Sequence, residues 1–96
     1  LKCGALTFDA IDDTAFRCFA LARQCAKEGG TACATLNAAN EEAVWAFLRG
    51  ETGFNGIHRT VETALDRATV KYRPSLADIL EADRLARETA RAVLSR

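Results

Sequence analysis

The stretch Thr35 to Gly50, TLNAANEEAVWAFLRG, decides how the chain is read. Leu36, Ala39, Ala43, Val44, Phe47 and Leu48 recur at spacings of three and four, the period of an amphipathic helix, and Gly50 supplies a stop. This predicts a helix over about 36–49, with the turn from Ala32 to Thr35 also compatible with helix. Asn37, Asn40, Glu41 and Glu42 interrupt the pattern with polar groups. They fit either a polar active site or the organisation of a helix start. Asn37 or Asn40 could accept from exposed backbone N–H groups there, and Glu41 and Glu42 would favour the positive end of the dipole. Neighbouring glutamates on a helix diverge by about 100°, so they do not form a paired-carboxylate centre. The expectation is therefore a structural motif of Asn37, Asn40 and Glu41, a joint between the first two helices. Trp45 lies off the main stripe, half exposed or turned to a second surface.

Working outward, DDTAFRCFALARQCAKEGG (12–30) predicts a helix over about 15–28. Asp12 and Asp13 are candidate caps, Phe16, Phe19, Leu21, Ala22, Cys25 and Ala26 form the apolar face, and Gly29 and Gly30 stop it. Ile57, Val61, Ala64, Leu65 and Ala68 predict a helix over about 56–68, with Asn55 as its cap. Ser75 and Asp78, after Pro74, resemble a capping box and open a helix over about 76–94. Leu76, Ile79, Leu80, Ala82, Ala86, Ala90, Val93 and Leu94 lie down one broad face of it, and Arg87 and Arg91 suit its C-terminal half. Leu6, Phe8 and Ala10 alternate with Thr7 and Asp9, which predicts a short extended arm over 1–12 that needs a partner. The expected fold is all-α: one small four-helix bundle or array with an extended N-terminal arm.

Ninety-six residues make one domain with a modest core. Thirteen basic side chains balance thirteen acidic ones, so nothing draws the chain to nucleic acid or an anionic membrane. No apolar run approaches a bilayer span. The chain has no methionine and opens on Leu1, which reads as a piece of something longer. Cys3, Cys18, Cys25 and Cys33 form no CxxC pair. Cys18 and Cys25 share a helical face, but about 10.5 Å of rise separates them, beyond the roughly 7 Å a disulfide tolerates. All four are expected to be reduced thiols, mostly packed as small apolar groups, which favours a cytoplasmic protein.

Little else suggests chemistry. His58 is the only histidine and is expected at the surface. Gly29, Gly30 and Thr31 precede a helix, but no phosphate-loop pattern follows. Asp9, Asp12 and Asp13 lack calcium-loop spacing, and Glu81 and Asp83 diverge. A helix-turn-helix is disfavoured by the neutral charge. No residue is assigned a catalytic, cofactor-binding or metal-binding role.

LTFDAID, GGTACATLNAANEEAVWAFLRGETGFNGI and SLADILEADRLARETA resemble the C-terminal domain of 1-deoxy-D-xylulose 5-phosphate reductoisomerases, from about Leu6 to Ala92. The chain departs from many relatives at Arg17 and His58, where proline is common near helix starts. The resemblance implies a parent enzyme that rearranges 1-deoxy-D-xylulose 5-phosphate and reduces the product to 2-C-methyl-D-erythritol 4-phosphate. NADPH and a divalent metal, Mg or Mn, serve that parent, which belongs to the non-mevalonate route to isoprenoids and is the target of fosmidomycin. It also implies that the NADPH site and the metal and substrate ligands lie in other domains, and that the parent is a homodimer. The implied role of this chain is structural: to pack on the catalytic and NADPH-binding domains of its own parent chain. The arm from Cys3 to Ile11 is expected to make that contact, because a lone alternating segment needs a partner. Its implied partners include no nucleic acid and no membrane. A free-standing helical interaction module is the alternative, and a small enzyme in its own right is a third reading.

Overall fold

The computed structural model describes residues 16–95, and the arm expected over 1–12 lies outside them. The described residues form four helices: α1 over 16–28, α2 Ala32–Leu48, α3 Asn55–Arg67 and α4 Leu76–Leu94. The architecture is all-α, and no described residue is in a strand.

A double-glycine turn sets the angle between α1 and α2. Gly29 and Gly30 adopt φ of +74° and +59°, in the left-handed region open to glycine. A Cβ on Gly30 would lie 2.3 Å from the Lys71 carbonyl oxygen, so only glycine lets the segment before α4 come so close. That approach is fixed by two bonds. The Thr31 backbone N–H donates to the Lys71 carbonyl (3.1 Å), and the Lys71 N–H donates to the Thr31 hydroxyl (2.9 Å). α2 and α4 thus start side by side.

From there they run in the same direction, because Glu42 of α2 meets Arg87 and Arg91 of α4. α2 turns back at Gly50 (φ +76°), and α3 returns alongside it. α4 begins on a complete capping box. The Ser75 hydroxyl accepts from the Asp78 N–H (3.1 Å), and the Asp78 carboxylate accepts from the Ser75 N–H (3.0 Å). The Ser75 N–H bond holds the Asp78 carboxyl below its ordinary range, with Lys71 adding to the effect.

The core is built from small side chains. Ala32, Ala38, Ala39, Ala43 and Ala46 line the buried side of α2, and Ala86 and Ala90 are the buried residues of α4. Ala39, Val61, Ala64 and Ala90 form the central cluster, with Leu21, Leu36 and Leu65 packed around it. Short side chains let helix axes approach the lower end of the usual spacing, about 8 Å. Val61 is the largest fully buried side chain among the described residues. The larger apolar groups depart from their expected places. Phe16 and Phe19 point outward on α1 while Cys25 is buried. Phe47 and Leu48, expected on the buried stripe of α2, are exposed, as are Leu76, Ile79 and Leu80 on α4. Ala26 of α1 is exposed as well, and Trp45 is 54% exposed. The 3.6-residue period identified the helices, but an apolar face two helices wide can be covered on only part of its width by a bundle this small.

Candidate functional site

α2 begins four residues earlier than the apolar pattern suggested, at Ala32, with Thr31 in the N-cap position. Asn37 and Asn40 are therefore exposed mid-helix residues and cap nothing, and Glu41 and Glu42 lie beyond the first turn. The Thr31 hydroxyl does not cap the helix either, since it accepts from the Lys71 N–H. The glycine pair was the better start signal: its left-handed residues end α1, and α2 follows within two residues.

The glutamates do form a joint, but between α2 and α4. The Arg87 guanidinium donates to Glu41 (3.1 Å), Glu42 (2.9 Å) and Asp83 (2.7 Å). Arg91 donates to both Glu42 oxygens, at 3.0 and 3.2 Å. Glu42 is the enclosed member, its side chain 15% exposed against 57% for Glu41 and 65% for Arg91. Hydrogen bonding from Arg91, joined by that from Arg87 and only partly offset by burial, holds the Glu42 carboxyl below its ordinary range. Arg87 is raised by its bonds to Asp83 and Glu42. The two arginines had been read as dipole partners of their own helix. Their main role lies 45 and 49 residues away in sequence, where spacing along one helix gives no signal.

The remaining candidates resolve differently. His58, expected at the surface, is buried, and its Nδ1 has no hydrogen-bond partner. It sits on the wide inner face of α3 with Ile57, Thr60 and Val61. The backbone donors after the glycine turn are used internally. Gly29 N–H donates to the Cys25 carbonyl, Thr31 N–H to Lys71 and Ala32 N–H to the Gly29 carbonyl. They are not aimed at an anion. Cys18, Cys25 and Cys33 are free thiols; burial raises Cys18 and Cys25, which makes both poor nucleophiles, and Cys33 is exposed. Glu81 pairs with Arg84, which also reaches Glu88. A groove of about 350 Å³ runs between α2, α3 and α4 past Thr35, Arg67, Glu81 and Leu85. Among the described residues no three His, Cys, Asp or Glu side chains converge to hold a metal ion.

Such an arrangement defines a class: a small helical domain whose acidic cluster serves helix packing. The chain belongs to the DXP reductoisomerase C-terminal domain family, whose pattern matches residues 1–89. It is 47% identical over 94 residues to the 1-deoxy-D-xylulose 5-phosphate reductoisomerase of Ruminiclostridium cellulolyticum, covering 98% of this chain and 25% of that protein. Against the enzymes of Symbiobacterium thermophilum and Cupriavidus pinatubonensis it is 50% identical, over 92% and 95% of this chain and 23% of each relative. The chain thus spans about a quarter of the length of these relatives. No solved structure matches it.

Two outcomes follow for the polar cluster. Asn37→Ala and Asn40→Ala each raise the unfolding free energy by a few tenths of a kcal/mol in urea titrations, because alanine is the better mid-helix residue. Loss of a cap would instead cost about 1 kcal/mol. Glu42 titrates lower in the folded chain than in the unfolded one, so its stabilisation is complete above the unfolded value of about 4.3 and is lost as pH falls through the folded value. Glu42→Gln removes that part of the acid-side slope and, at neutral pH, costs about 1–2 kcal/mol. Unfolding midpoints measured from pH 7 to pH 3 check both.

Proposed function

We propose that this chain is the non-catalytic C-terminal domain of a 1-deoxy-D-xylulose 5-phosphate reductoisomerase. In this reading the enzyme's NADPH, divalent metal and substrate are held by the other domains of the parent chain, and this domain packs on them to stiffen the cleft. One observation supports it most directly. Ten large apolar side chains are exposed while the buried core is mostly alanine, with Val61, Ile57 and Cys25, as expected of a domain that completes its burial on a neighbour. The engagement of Glu41, Glu42 and Asp83 by arginine agrees, since it leaves those carboxylates committed to packing.

The proposal includes a cytoplasmic homodimeric parent with no membrane or nucleic-acid partner. None of the described helices is long and apolar enough to cross a membrane. The test is NADPH oxidation with 1-deoxy-D-xylulose 5-phosphate and Mn²⁺, using the complete reductoisomerase, the same protein lacking this domain, and the 96-residue chain alone. The expected result is activity in the complete protein, a loss of at least tenfold on deletion, and none from the chain alone. Turnover by the chain alone would overturn the reading.

A further inference from the structure

Four of the seven exposed large apolar groups on α2 and α4, Trp45, Leu48, Leu76 and Leu80, fall on a single two-helix face. On α2, Glu41, Trp45 and Leu48 follow one another at i, i+4 and i+7, and so share a side of the helix. On α4, Leu76, Leu80, Asp83 and Arg87 do the same at i, i+4, i+7 and i+11. The Arg87–Glu41 pair joins the two stripes edge to edge. Because the helices run in one direction, the helical rise places Leu76 and Leu80 about 16 and 10 Å to one side of that pair. Trp45 and Leu48 lie about 6 and 10 Å to the other. Leu76 is 73% exposed, Leu80 62%, Leu48 68% and Trp45 54%. No residue from Leu76 to Leu85 is fully buried, although that half of α4 carries most of its large apolar side chains.

The polar centre of the face is already satisfied. Arg87 and Arg91 are bonded to Glu41, Glu42 and Asp83, which leaves two positive charges against three negative ones. A polyanion or an anionic bilayer finds no free cation among these groups. Among the described residues nothing covers the two apolar ends of the face. The supply of such a cover is set by length: the relatives that match this chain carry about three-quarters of their residues outside the matched part.

We infer that the α2–α4 face, with Trp45 and Leu48 at one end and Leu76 and Leu80 at the other, is the seat of the rest of the reductoisomerase chain. The inference rests on the accessory-domain reading above and names the surface that reading requires. The two apolar ends anchor the contact, and the ion cluster between them is already paired within the domain.

The test is hydroxyl-radical footprinting of a complete reductoisomerase carrying this domain, read by mass spectrometry residue by residue, with the urea-unfolded protein as the rate reference. If the face is covered within its own chain, Trp45 and Leu80 are oxidised at least tenfold more slowly than in urea, and this protection is unchanged on hundredfold dilution. Protection of threefold or less, the level their exposure in the domain alone would give, overturns the inference. Protection that disappears on dilution also overturns it, by assigning the face to a second copy. Free oxidation of Trp45 alongside lost activity on domain deletion would reject this face and leave the accessory-domain reading intact.

Discussion

The contact between α2 and α4 is the constraint on which the rest of this domain depends. Alanines on both helices allow close approach, and Glu42 fixes the register by accepting from Arg87 and Arg91. α3 then has one place to lie, along the groove the pair leaves, where Val61 and Ala64 meet Ala39 and Ala90. α1 is tied in through the glycine turn and Leu21. Neither component suffices alone. An alanine seam buries little area per residue and tolerates sliding. A partly exposed ion pair gives modest stability but strong geometric preference, because both ends of the guanidinium fork must be met.

The small-residue core has a consequence for function. Close-packed alanines bring backbones together but leave few positions where Phe, Trp and Leu can be enclosed, so most of these remain exposed. The same arrangement takes carboxylates out of circulation. In a catalytic site an acid is held by partners that shift its proton affinity towards the working range. Here the partners of Glu42 shift it away, and the charge stays fixed at neutral pH. The accessory role proposed above accords with membership in a reductoisomerase domain family.

The helices were legible in the sequence because their signals are local. The 3.6-residue period, the double glycine and the Ser75–Asp78 box each act within a few residues. Four things were not legible. Asparagine favours helix starts, which points to Asn37 or Asn40 as a cap, whereas the helix already begins at Ala32, just after the glycine turn. The role of Arg87 depends on Glu42, a neighbour only after folding. His58 is buried because α3 is covered on a face wider than its apolar stripe, and a polar residue gives no sign of that. Burial failed as a forecast for Leu76 and Leu80 for the opposite reason: periodicity shows that a face is apolar, and does not say what covers it.

The most direct measurement is a double-mutant cycle on Glu42 and Arg87, with Glu42→Gln, Arg87→Met and the pair compared by chemical unfolding at pH 7. If the α2–α4 joint sets the register, the two side chains are coupled by about 1 kcal/mol or more, and the double variant is barely less stable than either single one. Additive losses with no coupling would mean that the alanine seam holds the helices unaided, and would contradict the account.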